Sequence, residues 1–277
     1  MAQATGRHVR RIAATAWVAV VLCGMVGAWT LRNDRDPLGR QDRNPQGWAA
    51  AYERAFGHLA DLPQPRPSRV ELALDVFPEE QRLRSRGSVV VRNETPVNIP
   101  ELHLTAPRRS TSITFRVPGE IIAVQEHLPL YSYRLRRPLE PGETLLLRFQ
   151  LEVDLAHTGA DRLALHPSDF LPHIGYDRGL ELDNARARRR QNLPLVHRRR
   201  ADTPRLGHLR ATVSTAAQHV AVAPGTLTRH WREDGRAFYE YLATDAGPLA
   251  DISIRSTRQG TPRLKPPKLA EGTLRTP

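Results

Sequence analysis

From Arg69 to Arg92 the chain alternates apolar and polar residues with a period of two. Val70, Leu72, Leu74 and Val76 fall on one side, and Arg69, Glu71 and Asp75 on the other. A helix would scatter these residues around its surface. A strand sends them to opposite faces, one for a core and one for water. Pro78-Glu79-Glu80-Gln81-Arg82 reads as a turn, after which Leu83, Ser85, Gly87, Val89 and Val91 alternate with Arg84, Arg86, Ser88 and Arg92. A third clear strand is predicted over 143–154, with Leu145, Leu147, Phe149, Leu151 and Val153 inward and Arg148, Gln150, Glu152 and Asp154 outward. Pro141-Gly142 before it suits the two central positions of a type II turn. Weaker strands fall at 101–105, 112–117, 131–136, 208–214, 219–223 and 251–255, and 228–243 reads as a hairpin about Asp234-Gly235. Half-polar alternation indicates antiparallel sheet with one wet face. The fold class is therefore mainly β, an antiparallel β-sandwich or saddle of about nine strands. No internal repeat stands out.

The stretch before the strands is of another kind. Ile12–Leu31 reads IAATAWVAVVLCGMVGAWTL, 20 residues without a charge. At ~1.5 Å rise per residue a helix of that length spans a ~30 Å hydrocarbon core. Trp17 and Trp29 lie towards its ends, where indoles favour the lipid–water interface. Three readings compete: a retained transmembrane helix, a signal peptide cleaved after Val26-Gly27-Ala28, and a lipoprotein signal using Cys23. Bulky Leu22 speaks against the lipoprotein, and the apolar run past Ala28 favours the retained helix. Arg7, Arg10 and Arg11 on one flank are matched by Arg32, Arg35, Arg40 and Arg43 on the other, so the positive-inside rule leaves orientation undecided.

Between the span and the strands, Trp48, Tyr52, Ala55, Phe56 and Leu59 recur at helical spacing, and Asn44-Pro45 offers a cap and first turn. Pro63, Pro65 and Pro67 end that helix. The expected organisation is a basic segment 1–11, a transmembrane helix 12–31, a juxtamembrane linker 32–68 with a short amphipathic helix 46–60, a β-domain 69–257, and a disordered tail 258–277 rich in Pro, Gly, Thr and basic residues.

Chemistry-bearing motifs are sparse. Among 11 histidines no two are spaced i, i+4 and there is no HExxH, which excludes a helix-borne zinc peptidase site in this sequence. GxSxG, GxxxxGK[ST] and GxGxxG are also absent. The single cysteine, Cys23, allows no internal disulfide or cysteine zinc cluster. His157, His166 and His173, with Asp161 and Asp169, share a loop-like stretch that could gather a metal, but solvated loop histidines are the commoner outcome. No catalytic, cofactor-binding or metal-ligating residue is assigned, and no cofactor is implied. Residues 178–210 carry ten arginines against three acids, a large share of the formal net charge of +12. The simplest reading is a solvated arginine-rich loop. Anionic lipid head groups come next as partner, and nucleic acid last, for want of aromatics to stack bases.

Several segments together resemble a known family. They are Tyr52-Glu53-Arg54-Ala55-Phe56-Gly57; Pro65-Arg66-Pro67 leading into RVELALDVFPEEQRLRSRGSVVVRNET at 69–95; and Arg137-Pro138-Leu139-Glu140-Pro141-Gly142-Glu143-Thr144. Leu171-Pro172-His173-Ile174-Gly175-Tyr176 follows, with Glu181-Leu182, then Val213-Ser214-Thr215 and 220–227. In order and spacing they resemble the N-terminal β-domain of aminopeptidase-N-like zinc metallopeptidases, in the bacterial form fused behind the membrane helices of an ABC-type exporter permease. The resemblance covers roughly 45–257. It implies a β-domain that packs beside a peptidase domain and helps wall its substrate cleft. The family's catalytic GxMEN and HExxH do not occur here, so no catalytic or zinc residue carries over. The expectation is a non-enzyme: a single-pass bacterial inner-membrane protein with a periplasmic β-domain. Its partners would be the lipid bilayer and a separately encoded peptidase domain or ABC transporter subunits, unless the gene is a remnant. The alternative is a stand-alone membrane-tethered module binding a peptide, an envelope component or anionic lipid.

Overall fold

A computed structural model describes residues 44–125, 128–155, 162–195 and 204–258. The span at 12–31, Cys23, His157, Asp161, Arg198-Arg199-Arg200 and the tail from 259 lie outside them. Among the described residues no helix is long and apolar enough to cross a membrane. Chain contacts separate Met1–Trp48 from Ala49–Pro277; the described part of the first unit is residues 44–48, which open helix α1 (Pro45–Phe56). There Asn44 Oδ1 accepts from Gly47 N–H at 2.9 Å, and Pro45 takes the first helical position, where a missing N–H costs nothing. A 3₁₀ turn, Gly57–Leu59, extends the helix.

The strands are β1 (Arg66–Phe77), β2 (Arg82–Arg92), β3 (Ile99–Thr105), β4 (Ser110–Arg116), β5 (Gly119–Val124), β6 (Leu130–Leu139), β7 (Thr144–Asp154) and β8 (Arg162–Leu165). A one-turn helix α2 (Pro167–Phe170), β9 (His173–Ile174), a 3₁₀ turn (Arg178–Leu180) and α3 (Ala185–Arg190) follow. Then come β10 (Arg205–Leu206), β11 (His208–Ala216), β12 (His219–Val222), β13 (Thr226–Glu233), β14 (Arg236–Ala243), β15 (Gly247–Pro248), a 3₁₀ turn (Leu249–Asp251) and β16 (Ile254–Arg258).

They form a seven-stranded sheet ordered β13-β14-β11-β1-β2-β7-β4, a four-stranded sheet β5-β6-β3-β9, a three-stranded sheet β12-β16-β8, and the pair β10-β15. The period-two residues behave as strand physics requires. Val70, Leu72, Leu74 and Val76 of β1 and Leu147, Phe149, Leu151 and Val153 of β7 are buried, while Glu71, Arg148 and Gln150 are exposed. One apolar cluster joins this inner face to Leu102, Leu104 and Leu135 of the four-stranded sheet and Leu165, Ala221 and Ile254 of the three-stranded one. Polar links fasten the layers: Tyr241 donates to Ala221 O at 2.8 Å and Ser85 to Phe170 O at 2.6 Å.

The two turns with sequence signatures have the matching backbone. Gly142 sits at φ 82°, and Glu143 N–H donates to Glu140 O at 3.0 Å, the type II geometry in which φ > 0 calls for glycine. Asp234 and Gly235 both have positive φ, 47° and 71°, as a type I′ hairpin turn demands.

Three expectations need correction. The large sheet is not wholly antiparallel: β1 and β11 run parallel from Arg69↔His208 to Asp75↔Ser214, everything between them in the chain acting as the crossover that parallel pairing requires. The last strand is β16 rather than 251–255, because Leu249–Asp251 first closes a 3₁₀ turn. And the arginine-rich 178–210 is not simply a solvated loop. Its described part contains a 3₁₀ turn, α3, β10 and the start of β11, and Arg188 in its midst is buried.

Candidate functional site

The outer face of the four-stranded sheet is the place where chemistry collects. On β3 both faces are covered: Leu102 and Leu104 face the main core, while His103 and Thr105 are buried on the other side. Tyr52 of α1 reaches Thr105, and a second apolar cluster forms from Tyr52, Phe56, Leu130 and Tyr176. Tyr52 stacks on Tyr176, ring centres 5.0 Å apart and planes 14° from parallel.

The hydroxyls beneath that stack have one consistent direction. Thr105 donates to Gly175 O at 2.9 Å. Its lone hydroxyl hydrogen is then used, so Tyr52 donates to Thr105 Oγ1 at 3.3 Å. Asp177 N–H in turn donates to Tyr52 Oη at 2.9 Å. Such a chain polarises each bond by the next. Burial pushes the Tyr52 phenol up to about 12, the bonds to Thr105 and Asp177 opposing it. Burial, then the Glu181 carboxylate, pushes Tyr176 up as well. Both phenols stay protonated across the physiological range and do not act as bases.

Beside them lies an ion pair. The guanidinium of Arg188 on α3 grips the Glu53 carboxylate of α1 with two bonds, Nη1 to Oε2 at 2.9 Å and Nη2 to Oε1. Arg188 Nη1 also donates to Leu182 O at 2.8 Å and Nε to Pro194 O at 2.7 Å. The two side chains are 4% and 11% exposed. Arg54 donates to Gln191 O, and Arg178 to Asp61 Oδ1 at 2.7 Å. Three arginine contacts thus staple 178–191 to α1 and the turn after it.

Next to this framework opens a cleft of about 390 Å³ between the β3–β4 connection and the α2–β9 segment; Arg108, Arg109, Ser168, Asp169, His173 and Asp177 are among its lining residues. Asp169 Oδ2 accepts from His166 N–H and Asp177 Oδ1 from Gly179 N–H, each at 2.8 Å, so both carboxylates also hold local backbone. Guanidinium and carboxylate groups line the cleft. It presents no hydroxyl bonded to an imidazole. Two serine–histidine contacts do exist, Ser132 with His103 Nδ1 at 2.8 Å and Ser256 with His219 Nδ1 at 3.4 Å. All four residues are buried, so these contacts lie within the packed interior.

Of the loop histidines, His166 precedes α2 as its capping residue and His173 opens onto the cleft. Among the described residues no group of three or more His, Cys, Asp or Glu could hold a metal ion. Glu79 and Glu80 are tied to Gln218 and Arg82 respectively. The sequence pattern pointed at neither Arg108 nor Arg109; Tyr52, Glu53 and Tyr176 stood within the family-like segments without a role, and Arg188 within the arginine-rich stretch read as solvated.

His103 supplies a pH dependence. Its Nε2 is buried and meets no hydrogen-bond partner among the described residues. Burial holds its pKa below the ordinary 6.5, the Glu101 carboxylate opposing and His58 assisting. Below pH ~6.5 the unfolded chain takes up a proton that the folded chain refuses. Stability is therefore expected to fall as pH drops from 7 through that value, and to level off below the folded-state pKa. Urea midpoints of the wild type and His103→Gln between pH 7.5 and 5 check this; the variant should have the flatter profile, and parallel profiles would contradict it.

No family model matches the sequence, and no curated protein does. Solved structures of an M1 zinc metallopeptidase from Deinococcus radiodurans are similar. A mutant bound to a Tyr-Ser-Ala substrate aligns with TM-score 0.49 and 16% identity over 70% of this chain and 42% of that one. The structure of the M1 zinc metallopeptidase itself aligns with TM-score 0.48 and 17% identity over the same shares. A two-domain M1 mutant bound to L-tryptophan gives TM-score 0.48 and 16% identity over 70% and 43%. The chain spans less than half the length of each. A likeness at this identity and score assigns neither family nor activity.

Proposed function

We propose that this chain is a membrane-tethered, non-catalytic β-domain of the kind found at the N-terminus of aminopeptidase-N-like metallopeptidases. In this reading it serves as an accessory to a separately encoded peptidase or ABC transporter subunit. The observation that carries the reading is the use to which the family-like segments are put. Tyr52 and Glu53 of the first segment meet Tyr176 of the fourth and Arg188 just beyond Glu181-Leu182. Tyr52 is bonded to Thr105 and the Asp177 N–H, and Glu53 to Arg188, which also holds Leu182 O; this builds a rigid support, with no activated nucleophile among the described residues. The 20-residue uncharged run supports the tether. Membranes from cells expressing the full chain, washed with carbonate, should retain it at full length. A soluble, shortened form beginning near Trp29 would sink the tether in favour of a cleaved signal peptide.

A second reading, a tethered module that binds a ligand of its own, is favoured by the cleft around Arg108, Arg109 and His173. Neighbouring genes separate the two. A reading frame with HExxH or an ABC ATPase beside this one supports the accessory role; absence of both supports the binding module.

A further inference from the structure

We infer that α3 and residues 191–195 form a docking surface for an anionic lipid bilayer. Arg186, Arg189 and Arg190 are exposed on α3. Leu195, a few residues on, is 59% exposed. The surface is pre-organised. Buried Arg188 fixes α3 to Glu53, and Asn184 caps it by accepting from Arg186 N–H at 2.9 Å and Ala187 N–H at 3.2 Å. Glu53 spends its charge on Arg188, leaving Asp183 as the exposed acid at the entrance to α3. Basic side chains complement the dipole at any helix C-terminus. That does not account for Leu195, a large apolar side chain exposed to water five residues beyond Arg190. Guanidinium groups for lipid phosphates and a leucine for the acyl boundary are the combination an interfacial segment needs.

Charge complementarity and reach argue for the bilayer as occupant. Leu31 precedes Asn44 by thirteen residues, an extended connection of at most about 45 Å, so a bilayer holding 12–31 stays within reach of α1 and, through Glu53 and Arg188, of α3. To that extent the inference rests on the proposed tether. Nucleic acid fits less well, since no aromatic side chain lies between Arg178 and Leu195 for bases to stack on.

The test compares the full chain in phosphatidylcholine discs with discs in which about one lipid in three is phosphatidylglycerol, following amide exchange of Ala185–Arg190. Exchange should be slower on the anionic discs, and the difference should vanish in raised salt and in the triple variant R186Q/R189Q/R190Q. Each arginine is expected to contribute roughly fivefold to surface partitioning, on the order of a hundredfold for three. These three side chains lie on the surface, so the variant should keep the wild-type unfolding midpoint. Should it fold poorly, Leu195→Glu must produce the same loss of protection. Equal exchange on the two disc types, or protection that survives the substitutions, overturns the inference. So does equal protection by a single-stranded DNA oligomer, which would assign the surface to nucleic acid. A chain that does not enter phosphatidylcholine discs defeats the tether alone. Docking is then read by flotation with phosphatidylglycerol vesicles, where floating supports it and sedimenting overturns it.

Discussion

Glu53→Ala is expected to cost about 3–5 kcal/mol of folding stability, a large loss for a single residue on a 12-residue helix. The substitution leaves the Arg188 guanidinium buried, at 4% exposure, with its charge uncompensated. Its carbonyl partners, Leu182 O and Pro194 O, relieve the hydrogen-bonding deficit but not the Coulombic one. Arg188→Ala should cost a similar amount, because it strands the Glu53 carboxylate and also frees the buried Leu182 carbonyl, worth ~1–3 kcal/mol when left unsatisfied. The combination Glu53→Leu with Arg188→Met removes both charges and should recover part of the loss, giving a coupling of about 2 kcal/mol or more. Urea titrations of the four proteins measure it. Single substitutions costing under ~1 kcal/mol that simply add would show the pair to be no better than a solvated surface contact.

The second large effect tests the sheet. Phe149 lies on the inner face of β7 and is buried among the main core residues, whereas Arg148, its neighbour in the chain, is exposed. Phe149→Ala removes most of a ring from a packed cluster and should cost about 3–5 kcal/mol. Arg148→Ala should cost under ~1 kcal/mol. Comparable losses from the two in a denaturant titration would mean that the inside–outside assignment of β7 is wrong.

Those two predictions fall on opposite sides of what the sequence discloses. The faces of β1, β2 and β7 could be read directly because each has one wet and one dry side, and alternation encodes that contrast locally. Turns at Pro141-Gly142 and Asp234-Gly235 were legible because their backbone angles select particular residues. The parallel pairing of β1 with β11 was not. It joins segments far apart in the chain, and no local period records a partner. Strand β5 escaped notice because Ile121, Ile122 and Val124 are all exposed, so it shows no alternation. Residues 162–165, 173–174 and 247–248 are too short to carry a period.

The same logic explains the site. A triplet of arginines reads as solvated surface, because burying a guanidinium is unfavourable without a partner. The partner of Arg188 stands 135 residues away on another helix. Thr105 and Tyr52, separated by 53 residues, are likewise unremarkable until the sheet and α1 are placed together. Arg108 and Arg109 reach the cleft only because the β3–β4 connection turns beside α2 and β9.

In the proposed role the chain supports others and does not itself catalyse. Zincin chemistry needs two imidazoles on one helical face, a further ligand and a glutamate to take the proton of metal-bound water, and this sequence holds no i, i+4 histidine pair. The most direct measurement is the rate at which the purified full chain, supplied with zinc and then dialysed, hydrolyses aminoacyl p-nitroanilides, alongside its metal content. No hydrolysis above background and no stoichiometric zinc are expected. One zinc per chain, with turnover abolished by substituting His157, His166 or His173, would contradict that role and make the chain a metallohydrolase.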